Sequence, residues 1–387
     1  MRAPIYLDNA ATTALDPAVA ELMSSCLSHG PKGNASSGHA GGRAARALIE
    51  AARAQVAARL RVSPEELVFT SGATESNNLA LRGVLAASRQ EHPQLITSRI
   101  EHPSVLATAK ALERQGVDVI LLGCDAEGVI DVDALRRTIS KRTALVSVMH
   151  VNNELGVVSP LAAIGAICRE HEVPLHVDAA QSIGKLEFDA QALGVDLCSL
   201  SAHKLHGPQG IGALFVRAGL GVEPLLFGGG QERSLRPGTL PTHQIVGMGL
   251  AYELADPSRE GPRLERLRRL LWQGLQGLEG VRLNGAEALL APHILNVSFA
   301  RVEGESLRLA LSDLMVSRGS ACTSAAELPA HVLSALGLSD ALAESSLRFS
   351  LGRFTSATDI ERAVARISAE LPRLRQLTAL APAWCSS

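Results

Sequence analysis

The chain has 387 residues, 46% of them apolar, and a formal net charge of -2 with both signs spread along its length. That balance excludes a basic nucleic-acid footprint and a polybasic membrane patch, and 3% aromatic content leaves little for a base-stacking platform. The length predicts two or three domains, or one large and one small.

No apolar run approaches the ~20 residues of a membrane helix. The opening MRAPIYLDNA is too polar for a secretory signal. Cys26, Cys124, Cys168, Cys198, Cys322 and Cys385 form no CxxC pair and no framework spacing, which fits a reducing, cytoplasmic setting without structural zinc.

In chain order, Ile5-Tyr6-Leu7 reads as a short strand, followed by Asp8-Asn9-Ala10-Ala11-Thr12-Thr13. Asp16-Pro17 opens a helical pattern to about Leu27. Residues 28–42, SHGPKGNASSGHAGG, read as a linker or a ligand-contacting loop in which Asn34 is the polar group of interest. Arg43 to Arg61 is helical in pattern, and Ser63-Pro64-Glu65-Glu66 has the spacing of a capping box at another helix start.

Leu67-Val68-Phe69 then leads as a strand into TSGATESNN and a helical run to about Ala87. A strand, a turn of small residues and a helix N-terminus make an anion site, because free N–H groups and the helix dipole favour phosphate. An ordinary strand-to-helix turn capped by Ser or Thr reads the same way. Leu95-Ile96-Thr97 is a strand ending just before Glu101-His102-Pro103. A lone histidine there is structural or, with suitable neighbours, an acid/base or ring-stacking group. Val117 to Leu121 and Ala144 to Met149 add strands, the second ending in HVNNELG.

The stretch from Pro174 to Leu214 places Asp178 after one apolar run and Ser201-Ala202-His203-Lys204 after the next. Ligands of open α/β sheets sit beyond the carboxyl ends of strands, so Asp178 and Lys204 are expected in one crevice. The pair suits pyridoxal 5'-phosphate: lysine holds the aldehyde as a Schiff base and the carboxylate pairs with the pyridinium nitrogen. A buried ion pair or two solvated loop residues would leave the same trace. Strands alternating with helices to about residue 216 indicate a mostly parallel, doubly covered sheet.

Residues 228–242, GGGQERSLRPGTLPT, form a polar loop too long for a simple turn. Composition breaks between Asp256-Pro257 and Gly261-Pro262, and a long charged helix follows to about Leu278. We place the boundary there: residues 15–256 as a large domain, 1–14 and 257–387 as a small α+β domain. In the latter, Ile294 to Phe299 and Ser346 to Ser350 read as strands. Ser306 to Leu314, His331 to Leu336 and Asp359 to Leu371 read as helices. Between them every residue from Gly319 to Ala326 is small, which predicts a mobile loop over about 317–328 carrying an accessible Cys322.

TSGATESNN, EHPSV, MHVNNELG, HVDAAQSIGK, SAHKLHGPQGIGAL, RPGTLP and GSACTSA occur in the order and spacing of one family. The chain resembles the cysteine desulfurases, pyridoxal-phosphate enzymes of the class V aminotransferase branch, NifS/IscS type, over nearly its whole length. The resemblance implies an α/β fold of the type I pyridoxal-phosphate transferases, with a mostly parallel seven-stranded sheet in the large domain. It implies that Lys204 attaches the cofactor, Asp178 pairs with its ring nitrogen, Gln181 bonds its phenolic oxygen and His102 stacks on the ring. Ala73, Thr74, Ser201 and His203 would hold the phosphate, and Thr239 would reach the phosphate of the neighbouring subunit, making a homodimer. Asn153 and Arg348 would receive the carboxylate of L-cysteine, with Asn34 assisting. Cys322 would accept the sulfur as a persulfide, leaving alanine, and pass it to an acceptor such as an iron–sulfur scaffold. A selenocysteine lyase or class V aminotransferase would share everything except dependence on Cys322. Arg318, where the family usually has a small residue, implies a change in loop mobility or acceptor preference. The ending LTALAPAWCSS implies that the scaffold partner met through a longer tail is not served in the same way, and Cys385 reads as a thiol on a frayed end.

Overall fold

The computed structural model describes residues 4–317 and 331–380. Its largest sheet has seven strands, in the spatial order Leu67–Thr70, Gly212–Val216, Leu197–Ser201, Leu175–Asp178, Thr143–Met149, Gln94–Ser98 and Asp118–Leu122. Gly212–Val216 runs antiparallel to both neighbours; the other strands are mutually parallel. Most of these strands are buried throughout, because helices cover both faces.

Alternation along the strands assigns the faces. Leu95, Leu145, Leu197 and Leu214 pack with Leu81 and Val105, from helices Ala73–Ala87 and Pro103–Glu113. Ile96, Val146, Val177 and Leu200 point the other way, against Val56, Ile164 and Met248 of helices Ala40–Leu60, Leu161–Glu170 and Thr242–Leu254. One polar ladder crosses the sheet centre: His176 meets Ser147 Oγ through Nδ1 at 2.8 Å and Ser199 Oγ through Nε2 at 2.9 Å. Burial pushes the His176 imidazole down to about 4, so both hydroxyls face a neutral ring.

A second apolar cluster forms around the antiparallel sheet of Ser346–Ser350, Ile294–Phe299 and Val281–Leu283. Phe299, Phe349, Leu271 and Ile360 are buried there against helices Pro257–Leu275 and Ala357–Leu380. Each such side chain contributes about 1.5–3 kcal/mol by leaving water. The N-terminal strand Ile5–Tyr6 joins this cluster, pairing in parallel with Leu314–Met315.

Three local expectations are corrected. Ser63 to Glu66 does form the capping box, but around a single 3-10 turn, Pro64–Glu66, because the buried strand starting at Leu67 claims the chain at once. The break at Gly261-Pro262 lies inside the helix Pro257–Leu275: Asp256 caps it by accepting from Ser258 N, and the second proline falls in its early turns. The helix expected from Ser306 to Leu314 is Gly304–Ala310, and Leu314 instead enters the strand beside Ile5. Of the loop expected over about 317–328, only Ser317 is described; Arg318, Cys322 and Cys385 lie outside the described residues.

Candidate functional site

The parallel strands end along one edge of the sheet, and the chain after five of them turns into a common cavity of about 440 Å³. Its lining includes Ala73 and Thr74 after Thr70, His102 after Ser98, Asn153 after Met149, Gln181 after Asp178, and His203 and Lys204 after Ser201. Arg348, from the middle of the strand Ser346–Ser350, reaches the same cavity, so both apolar clusters contribute to its wall. Ten of the expected residues thus converge on one space: Ala73, Thr74, His102, Asn153, Asp178, Gln181, Ser201, His203, Lys204 and Arg348.

Local geometry explains the anion cup. Gly72 has φ +153° and precedes the helix Ala73–Ala87, whose free N–H groups and dipole face the turn. A Cβ at Gly212 would lie 2.4 Å from Leu200 O and 2.6 Å from Gly72 Cα, so only glycine lets this strand pass so close to the turn. Ser201 Oγ is buried and has no hydrogen-bond partner among the described residues. A hydroxyl left without a partner beside a helix N-terminus suits a phosphate oxygen.

Asp178 is 6% exposed. Its Oδ1 accepts from Ala180 N at 3.0 Å and its Oδ2 from Asn77 Nδ2 at 2.8 Å. His102 caps the helix Pro103–Glu113: its Nδ1 accepts from Ser104 N at 3.1 Å, which leaves Nε2 to carry the ring proton. Burial holds this imidazole below its ordinary value; Lys204 and His331 add to that, and Asp178 opposes it. Lys204 Nζ donates to the carbonyls of Ala10 and, at 2.6 Å, Ala11. Arg348 is 4% exposed; its Nη1 donates to Asn153 O at 2.9 Å and its Nη2 pairs with Asp8 Oδ1 at 2.7 Å, while Nε has no partner.

Gln181 turns its amide nitrogen away from the role expected of it, and Asn34 and Thr239 lie outside the cavity. Gln181 donates its Nε2 to Ala10 O at 2.9 Å and leaves Oε1 buried without a partner. Bonding an anionic phenolic oxygen requires the amide to turn, since only Nε2 is a donor. Asn34 and Thr239 stand outside the cavity lining; both are exposed, with Asn34 Nδ2 3.5 Å from Thr239 Oγ1.

Reasoning from residue type missed Asn77, Asp8 and the carbonyls of Ala10 and Ala11. Their motifs, TSGATESNN and DNAATT, were visible, but a second-layer donor or a backbone acceptor leaves no distinctive residue pattern. The donor set fits pyridoxal 5'-phosphate: a primary amine, a buried carboxylate, and a helix N-terminus beside the unpartnered Ser201 hydroxyl share one cavity.

An α/β sheet with this crevice, lysine and carboxylate is compatible with the class V aminotransferases, and their family profile matches residues 5–363. The chain belongs to that family. Within it the chain is a cysteine desulfurase: it is 51% identical over 393 residues to the cysteine desulfurase IscS of Proteus mirabilis, covering 99% of this chain and 96% of that one. The cysteine desulfurase IscS of Aeromonas salmonicida is also 51% identical, over 390 residues and the same shares. Among solved structures, a NifS-like protein superposes with TM-score 0.89 at 37% identity, covering 96% of this chain and all of the other. SspA in complex with cysteine superposes with TM-score 0.81 at 37% identity, covering 91% and 100%. No helix among the described residues is long and apolar enough to cross a membrane.

Proposed function

We propose that the cavity around Lys204 binds pyridoxal 5'-phosphate and L-cysteine and moves the substrate's sulfur to Cys322, releasing L-alanine. The observation that carries this reading is Lys204 held on the Ala10 and Ala11 carbonyls in a cavity it shares with Asp178 and Arg348. The solved relative with bound cysteine supports the substrate.

When bound, pyridoxal 5'-phosphate supplies an electron sink that makes the Cα proton of an attached amino acid removable. Lys204 anchors the cofactor and then takes that proton with its ε-amine. Asp178, oriented by Asn77 and Ala180 N, holds the ring nitrogen's proton. Ser201, Ala73, Thr74 and His203 hold the phosphate. Arg348 receives the substrate carboxylate with its planar fork, and Asn153 borders the same position. His102, neutral and carrying its proton on Nε2, stacks on the ring and passes protons. Cys322 Sγ takes the sulfur as the substrate C–S bond breaks, and the carbon left behind gains a proton. Cysteine plus a thiol gives alanine plus a persulfide, so no external oxidant or reductant enters.

Thr239 and Asn34, side by side on the outer surface, are where a homodimer would offer Thr239 to the neighbouring subunit's phosphate. The persulfide then passes to a sulfur-acceptor protein, an iron–sulfur scaffold being the expected type, in a cytoplasmic setting. The domain division at about residue 256 puts the cofactor residues in one part and Arg348 and Cys322 in the other. Incubation with L-cysteine should yield alanine and a Cys322 persulfide together, and Lys204→Ala should yield neither. Alanine production by Lys204→Ala at the parent rate would overturn the reading, and a fully active monomer in sedimentation would overturn the dimer.

A further inference from the structure

A second buried amine touches the lysine of this site. Lys185 is 5% exposed and its Nζ donates to the main-chain oxygen of Lys204 at 2.9 Å, its one hydrogen-bond partner among the described residues. It forms no ion pair within 4.0 Å among them, so its ammonium is buried without a directly paired carboxylate, an arrangement that opposes folding. Glu260, whose charge favours the Lys185 ammonium, is already engaged: its Oε1 holds Arg353 Nε at 2.6 Å, and Arg353 Nη1 reaches Asp16 at 2.7 Å.

We propose that Lys185 is a positioning residue for Lys204: its amine anchors the Lys204 carbonyl while the Lys204 side chain swings, and its charge opposes a second charge on the Lys204 amine. This rests on Lys204 being the cofactor lysine. A lysine that must first attach the cofactor and then carry a proton needs a fixed main chain and an amine that is readily neutral. A neighbouring cation in a low-dielectric setting favours the neutral form.

The surrounding charges give the arrangement a pH dependence. Burial pushes the Lys185 ammonium down to about 7; Glu260 opposes that, while Lys204 and Arg353 reinforce it. His203, His206 and His293 also face its charge and are held below their ordinary range, largely by burial, so they add no positive charge near neutrality. Lys185 therefore loses its own charge as pH rises through about 7, and with it the effect on Lys204.

The test reads the cofactor-free protein. Amine acylation by acetic anhydride across pH, followed at each lysine by mass spectrometry, reports which amines are accessible and neutral. In the parent protein Lys185 should label at least tenfold more slowly than exposed Lys32. In Lys185→Met the Lys204 labelling profile should shift, about tenfold slower below pH 7, where Lys185 carries its charge, and near the parent rate well above it. Lys185→Gln keeps an N–H donor without the charge and should show the same shift. In the holoenzyme, Lys185→Met should lower kcat about tenfold with KM for L-cysteine within about twofold, and Lys185→Gln should recover part of kcat. Labelling of Lys185 as fast as Lys32, or an unchanged Lys204 profile in either variant, would overturn the proposal. Failure of the desulfurase reading is distinct, because it is read from alanine production by Lys204→Ala and leaves these labelling rates untouched.

Discussion

Asn77 Nδ2 donates to Asp178 Oδ2 at 2.8 Å and also to Ser104 Oγ at 2.8 Å, and Ser104 Oγ meets His102 Nδ1 at the same distance. One buried amide, 0% exposed, therefore ties the carboxylate expected under the cofactor ring to the histidine expected on it. The helix Ala73–Ala87 that forms the anion cup also carries this brace.

Removing the brace should loosen the cofactor without emptying the cup. Asn77→Ala deletes a hydrogen bond to a charged group, worth about 1.5–3 kcal/mol. Cofactor affinity of the apo-protein should fall about 10–100-fold. Titration by absorbance or fluorescence checks this; an unchanged dissociation constant would show that Ala180 N alone orients Asp178.

Arg348 tests carboxylate recognition. Lysine keeps the charge but cannot make the fork that spans Asn153 O and Asp8, and it offers no second parallel donor. Arg348→Lys should raise KM for L-cysteine about 10–100-fold while cofactor binding stays near the parent value. Steady-state kinetics and cofactor titration together decide it.

His102 predicts an acid limb. Its burial disfavours the charged form, so at pH 6.5 the ring is less protonated than an ordinary histidine, which is half protonated there. If the neutral ring is the working form, kcat/KM should fall on acidification with a midpoint below 6.5. His102→Gln should be slower and lack that limb. A limb unchanged in the variant belongs to another group.

His176 predicts a loss of stability in acid. The unfolded chain takes a proton near 6.5 and the folded one not until about 4, so between those values the unfolded state binds more protons and stability falls as pH falls. Above 6.5 the contribution is complete. From about pH 6.5 to 5 the loss is about 2 kcal/mol. Denaturant unfolding at both pH values should show a drop that shrinks in His176→Gln; an equal drop in both proteins would place the acid sensitivity elsewhere.

Cys322 separates desulfuration from the competing chemistries. Cys322→Ala should still bind L-cysteine and exchange its Cα proton with solvent, because the proposed function assigns those steps to Lys204. Alanine release should fall by orders of magnitude, since no thiolate is there to take the sulfur. Near-parental alanine production would point to a lyase or aminotransferase course instead.

The parallel strands of the large sheet, and the polar residues just beyond their ends, were legible because their signals are local. Leu95-Ile96, Leu145-Val146 and Leu197-Cys198 are apolar on both faces, and Gly72 and Pro103 punctuate the starts of helices. Less legible were places where a distant partner overrode a local preference. Ser63 to Glu66 carries a helix-start pattern that the sheet cuts off after one turn, and Leu314 leaves a helical pattern to pair with Ile5.

The identity and order of the chemical groups were set by the sequence alone: an amine at Lys204, a carboxylate at Asp178, a guanidinium at Arg348 and a small-residue turn at 71–74, each placed by a short-range pattern. The tertiary structure decided which groups share a space and which way they face. It brought Arg348 to Asp8 across 340 positions, turned Gln181 Nε2 towards Ala10, kept Asn34 and Thr239 on the outer surface, and set Lys185 against the Lys204 carbonyl. Those outcomes depend on packing two apolar clusters against one sheet edge and on pairing every buried donor that can be paired. Both are properties of the whole chain, and no local stretch of it encodes them.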